Sequence, residues 1–256
     1  MGVAGTGRTT ALTAAFVVGP LLALSTAAVA LDRDGTVTGS GVVGTPPEGA
    51  RVVVSRAPSG TPVRATTAGT SVEPDPVWVA RTAHATGMPR PAARAYGRAS
   101  IVVSREQPGC HVGWPTIAGI GSVESDHGRH DGARLRADGR PWPRIVGPAL
   151  DGTNGTEAIP ASADSEFFHG DDDWDHAVGP MQFIPSTWRT WGADGDGDGR
   201  ADPNDIDDAA LATARYLCAD GRDLSTDSGW TDAVFSYNHS DDYVALVSRR
   251  ARAMTR

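Results

Sequence analysis

Two groups of residues have the types and spacing to do chemistry. The first is Asp194-Gly-Asp196-Gly-Asp198-Gly199-Arg200-Ala-Asp202-Pro-Asn-Asp205, which sets carboxylates at loop positions 1, 3, 5, 9 and 12. Gly199 falls at position 6, where such a loop turns sharply, and Arg200 offers a backbone carbonyl at position 7. Hard oxygens on alternate residues, closed by an acid that enters a helix, make the cage a calcium ion needs. The predicted ligands are Asp194, Asp196, Asp198, the Arg200 carbonyl and Asp205. Asp205 stands where such loops usually carry Glu, so its shorter arm implies one ligating oxygen and weaker binding. An affinity of about 10⁻⁴–10⁻³ M would suffice outside a cell, and a single loop points to a structural role. A flexible acidic loop is the plain alternative, and it must place five acids at ligand positions by chance.

The second group centres on one carboxyl. Between Trp114 and Val123 there is no charge, and Trp114, Ile117, Gly121 and Glu124 share one face of a helix. The chain has six glutamates, and only Glu124 lies inside an apolar run. A carboxyl in such surroundings is a candidate for a raised pKa and for general-acid work; the plain alternative is a helix-end Glu whose head reaches water. Downstream, Gly179-Pro180-Met181-Gln182-Phe183-Ile184-Pro185 sets an amide beside an aromatic, which supplies hydrogen bonds and a stacking surface for a sugar ring. It reads equally well as a loop entering a helix capped by Ser186. Tyr237-Asn238 offers a hydroxyl and an amide, or simply a helix-cap turn. There is no HExxH, no GxSxG elbow and no phosphate-binding glycine loop.

These groups need elements to hold them. Residues 1–30 read as an export signal: Arg8, an apolar run from Ala11 to Leu24, and Ala28-Val29-Ala30 as a cleavage pattern. The same run is long enough to serve as an uncleaved membrane anchor. Residues 31–73 are rich in Gly, Thr, Pro and Ser with no helical stripe, and are expected to be a linker. The functional domain is expected over 74–256. Asp75-Pro76 starts one helix, Pro91 a second with Ala92, Ala95, Tyr96 and Ala99 on one face, and the Glu124 helix is the third. Residues 128–175 read as a long loop with room for a short hairpin, fit to wall a groove. Helices are expected over 206–219, near 231–237, and from Ser240, with Tyr243, Val244, Val247 and Ala251 as the buried face of the last.

Composition narrows the partners. A net charge of −8 argues against nucleic acid, and all 23 basic residues are Arg. In an exported chain the two cysteines, Cys110 and Cys218, most simply form one disulfide.

Together, GIGSVESDHGR, GPMQFIPSTW, DGDGDGRADPNDIDDAALATARYL and AVFSYNHSDDYV resemble the lytic murein transglycosylase B family, most closely its actinobacterial members, over residues 74–256. The resemblance implies a mainly α, lysozyme-like (α+β) fold acting on peptidoglycan glycan strands, with Glu124 as sole catalytic acid and base. It implies that Gln182, Phe183, Tyr237 and Asn238 line the sugar groove and that calcium binds at the predicted ligands. The expected protein is an exported monomer of the bacterial surface or cell wall, touching membrane only through an uncleaved anchor. Two alternatives stay open: a hydrolytic muramidase on the same fold, with a second acid among Asp126, Asp172, Asp173 and Asp175, and a non-catalytic calcium-stabilised wall-binding module.

Overall fold

Proline and capping acids punctuate the chain after residue 73, and helices begin where they stand. This computed structural model describes residues 72–153 and 156–255; the expected export segment and the linker up to residue 71 lie outside the described residues. Asp75 caps α1 (Pro76–Thr86) by accepting from the N–H groups of Val77 and Trp78, and left-handed Gly87 ends it. There follow α2 (Arg90–Glu106), α3 (Trp114–Ser125), the single turn α4 (Ser165–Phe168), α5 (Pro185–Trp191), α6 (Ile206–Leu217), α7 (Asp227–Tyr237) and α8 (Asp241–Ala253). The fold is mainly helical, as expected. Among the described residues, no helix is long and apolar enough to cross a membrane.

The stretch 128–175 holds the short hairpin for which the sequence leaves room, and a second strand pair that was not expected. It contains a hairpin of β1 (Arg134–Leu135) with β2 (Pro141–Trp142), then β3 (Val146–Ala149), which pairs antiparallel with β4 (His176–Val178). These strands are two to four residues long, and β2 and β3 contain proline, so periodicity has little to register. Helix α7 also starts before the expected residue 231, because the Thr226 hydroxyl accepts from the Gly229 N–H and caps it.

The core is built around α6. Spacing alone puts Ile206, Ala210, Thr213 and Leu217 on one apolar-to-neutral stripe, yet every residue of α6 except Arg215 is buried. It packs against α2, α3, α5 and α7, and a helix covered on all sides needs small apolar residues, here five alanines or leucines over 209–214 and Ile206 and Leu217 at its ends. Its first turn buries Asp207, which ion-pairs with Arg94 at 2.6 Å and Arg98 at 3.1 Å on α2. Arg98 also pairs with Glu73. Removing both arginines would strand the buried Asp207 charge. Cys110 and Cys218 form a disulfide across 108 residues of chain, tying the turn after α2 to the end of α6; closing a loop of this length stabilises by about 4.7 kcal/mol in the chain-entropy view.

Candidate active site

α3 delivers Glu124, and α8 delivers its partner. Tyr243, Val247 and Ala251 recur every four residues on the buried face of α8. α8 lies close along α3 because Gly119 has no side chain: a Cβ there would sit 3.1 Å from Val247 O and Ala251 N. This approach lets the Tyr243 hydroxyl donate to Glu124 Oε1 at 2.5 Å. Glu124 is half-buried, and its pKa rises to about 7, first through burial; the Tyr243 hydrogen bond pulls the other way. Tyr243 itself is pushed well up by burial and by the Glu124 charge, so its hydroxyl stays protonated as a donor. Sequence reasoning placed Tyr243 only in the core; the signal it lacked was the register between α3 and α8.

The chain turns abruptly after Glu124. Asp126 (φ 50°), His127 (φ 59°) and Gly128 (φ 82°) are successive left-handed residues, a costly run for two side chains with Cβ. Buried contacts hold it. The Ser125 hydroxyl accepts from Gly128 N at 2.8 Å and donates to Pro180 O at 2.6 Å. The Tyr96 hydroxyl meets His127 Nδ1 at 3.2 Å, passing over Gly121, where a Cβ would stand 2.1 Å from it. Burial lowers the His127 pKa to about 4, so the ring is neutral near pH 7 and Nδ1 accepts from Tyr96.

The 179–184 turn docks onto this corner. Tyr237, at the end of α7, donates to Met181 O at 2.8 Å and stacks on Tyr243 with planes 3° apart and centroids 6.5 Å apart. Gln182 takes a left-handed backbone (φ 52°), is buried, and donates from Nε2 to Gly179 O at 2.9 Å. Asn238 is also buried, at the end of α7. Phe183 requires a correction as a groove residue: it is wholly buried between Trp188 and Tyr237, with centroids at 5.2 and 6.0 Å, so it packs and presents no face outward. Gln182, Tyr237 and Asn238 are likewise buried, and of the four groove candidates Tyr237 is the one that meets α8, through Tyr243.

The acidic loop joins α5 to α6. Asp194 accepts from the N–H groups of Gly197 and Gly199, Asp196 from Asp198, and Asp198 from Arg200, so the carboxylates coil inward on their own backbone. Carboxylate oxygens of Asp194, Asp196 and Asp208 lie within 4.8 Å of one another and could hold a metal ion. The expected helix ligand needs correction here. Asp205 caps α6 through the Asp207 N–H and faces Arg140 Nη2 at 3.3 Å, while Asp208, one turn further on, reaches back into the loop. Asp198 and Asp202 also face Arg140, at 3.3 and 3.5 Å. A helix repeats its faces every three to four residues, so Asp205 and Asp208 were equivalent by spacing, and only the cap bond separates them. Asp208 is 1 % exposed, and burial lifts its pKa to about 7 despite N–H donors from Asp202 and Gly195; the charges of Asp205 and Asp196 raise it further. A buried carboxylate crowded by acids suits a divalent cation, which would bind the loop to α6.

No curated protein sequence matches the chain. Among solved structures it is similar to the Escherichia coli lytic transglycosylase Slt35 in complex with bulgecin A, at 16% identity over 70% of this chain and 74% of that one, with a TM-score of 0.42. It is likewise similar to Slt35 in complex with calcium, at 15% identity, 70% and 75% coverage and a TM-score of 0.42. Similarity to SltB3 from Pseudomonas aeruginosa in complex with NAG-anhNAM-pentapeptide is 22% identity over 57% of this chain and 38% of that one, with a TM-score of 0.32. One segment is more specific: residues 171–232, which hold the 179–184 turn, the acidic loop and α6, match the transglycosylase SLT domain family.

Proposed function

We propose that the protein is a peptidoglycan lytic transglycosylase of lysozyme-like fold that cleaves the bond between N-acetylmuramic acid and N-acetylglucosamine, with Glu124 as its single acid and base. The observation that carries this is the Glu124 carboxyl, raised to about 7 by burial and aligned by Tyr243, set against a turn that belongs to the segment matching the transglycosylase SLT domain. Protonated Glu124 donates to the glycosidic oxygen, and the bond to the muramoyl anomeric carbon breaks. The resulting carboxylate accepts the proton of the muramoyl 6-hydroxyl, whose oxygen closes a 1,6-anhydro ring; no water is consumed. The 2-acetamido group shields the oxocarbenium-like centre between the two steps. With Tyr243 occupying Oε1, the transferable proton belongs on Oε2. A pKa near the working pH suits a group that must give and then take a proton.

Two causes set the Glu124 pKa, burial and the Tyr243 hydroxyl, and neither is another carboxylate. Asp126 pairs with Arg129 at 2.9 Å, and Asp175 is buried against Ser162 and His169. This supports the one-carboxylate route over a two-carboxylate hydrolysis. Calcium, where bound at Asp194, Asp196 and Asp208, supplies charge that fixes the loop to α6, and the reaction is left to Glu124. The proposed location is outside the cytoplasm, at the bacterial surface or wall, acting in wall remodelling. Mass spectrometry of muropeptides released from purified wall tests the reading. Anhydro ends, one water lighter than reducing ends, are expected; reducing ends alone would replace it with a muramidase, and no release would leave a binding module.

A further inference from the structure

An indole stands uncovered on the β1–β2 hairpin. Trp142 is 67% exposed, although most large apolar side chains of the described residues are buried. Its support is rigid. Leu135 of β1 packs on Gly128, where a Cβ would come within 3.0 Å, which seats the hairpin on the turn following Glu124. At the hairpin tip, Gly139 O accepts from Ile206 N at 3.0 Å, and Arg140 meets Asp198, Asp202 and Asp205. Beyond β2 the chain continues into Val146, also exposed, and Gly147, where a Cβ would come within 2.8 Å of Gln182 Oε1. Leu135 and Pro141 pair on the inner face of the hairpin, so Arg134 and Trp142, paired one position further on, stand together on its outer face, next in the chain to the turn that follows Glu124.

Charge around Trp142 is opposite to that of the whole chain. Net charge is −8, yet residues 134–144 hold Arg134, Arg136, Arg140 and Arg144 against one acid, Asp138. Arg136 pairs with Asp138 and Arg140 with the acidic loop. Arg134, directly across the ladder from Trp142, and Arg144, two residues beyond it, are exposed and have no ion-pair partner among the described residues. A flat amphipathic ring takes the apolar face of a pyranose, and guanidinium groups take carboxylates in bidentate geometry.

We propose that this hairpin is a second substrate subsite for an acidic sugar unit, in which Trp142 stacks on the ring and Arg134 and Arg144 hold carboxylates of its substituent. Resting on the function proposed above, the unit is a muramoyl residue bearing its stem peptide, bound on the same strand away from the bond at Glu124. Neutral glucosamine units would gain only the stacking. The subsite would so favour strands with intact stems over stripped ones.

Calorimetric titration of the full chain carrying Glu124→Gln tests this, with a neutral N-acetylglucosamine hexamer and with glycan-strand fragments that carry stem peptides. Adding Trp142→Ala should weaken both ligands about tenfold. Adding Arg134→Gln with Arg144→Gln should weaken only the stem-bearing fragments, also about tenfold, and flatten their salt dependence. Thermal melting like that of the parent shows that each variant is folded. Unchanged binding by Trp142→Ala overturns the subsite, and equal loss for both ligands in the double arginine variant overturns its acidic preference. The two proposals fail separately: wall digestion by wild type bears on the function, while these titrations use a chain made unable to turn over.

Discussion

Glu124 and Asp208 are both carboxyls withdrawn from water, and burial lifts both to about pH 7. Their partners differ. Glu124 ends an otherwise uncharged helix and receives one phenolic hydrogen bond, from Tyr243. Asp208 receives two backbone N–H groups, from Gly195 at 2.6 Å and Asp202 at 2.8 Å, and stands beside Asp194 and Asp196. A carboxyl with one neutral donor and an apolar wall is balanced between its two protonation states, which serves proton transfer. A carboxyl locked by the backbone among other acids has negative charge nearby and little freedom, which serves a cation. Equal pKa values therefore arise from sites built for different work.

The comparison breaks first at activity. Glu124→Gln should lower wall digestion by about 10²–10⁴-fold, the usual share of a general acid–base group, as read by release of soluble muropeptides. Asp208→Asn should leave far more activity when assayed well below its own Tm. Equal losses in the two variants would erase the distinction.

Calcium provides the next test. At about 100 times its Kd, a ligand that binds only the folded state stabilises by about 2.7 kcal/mol, or about 5–10 °C in Tm for a domain of this size. Asp196→Ala and Asp208→Asn should lose that rise, whereas Asp205→Asn should keep it from a lower starting Tm. Loss of the rise in Asp205→Asn, with its retention in Asp208→Asn, would return the helix ligand to the position expected from spacing.

Stability against pH should separate the two carboxyls more finely. Above about pH 7, Glu124 is ionised both folded and unfolded, and the folded form carries the burial penalty; below about 4.5 it is protonated in both and the penalty vanishes. Wild-type stability should thus fall between those values as pH rises, and Glu124→Gln should fall less steeply, since Asp208 still contributes its own share. The variant should gain about 1–3 kcal/mol at pH 8 and nothing at pH 4, by denaturant melting. A gain independent of pH would mean that burial does not raise this carboxyl.

The smallest effect concerns Tyr243. Its hydrogen bond favours the carboxylate, so Tyr243→Phe should push the Glu124 pKa further up by about one unit. The alkaline limb of the kcat/KM profile should move to higher pH with it. A limb that stays in place would make Tyr243 a packing residue only.

Sequence alone made much of the site visible, for reasons of local chemistry. Asp194, Asp196 and Asp198 alternate with glycine, and Glu124 interrupts an apolar helix; both patterns are written in consecutive residues. Helices α1, α2, α3 and α8 announce themselves through Pro, capping acids and three-to-four-residue stripes. A short hairpin within 128–175 was expected without its position, and the β3–β4 pair escaped because strands of three and four residues leave no periodic trace.

What the sequence determined by itself is the chemical inventory: a lone acid on an apolar face, a coil of carboxylates, two cysteines and a helical frame. What only the tertiary structure decided is which of these meet. Gly119 and Val247 set how closely α3 and α8 approach, and so whether Tyr243 reaches Glu124. The cap at Asp205 leaves Asp208 to face Asp194, and the packing of Trp188 and Tyr237 takes Phe183 out of reach of any ligand. Such outcomes depend on contacts between residues far apart in the chain, where local pattern sets the residue types and packing sets their orientation.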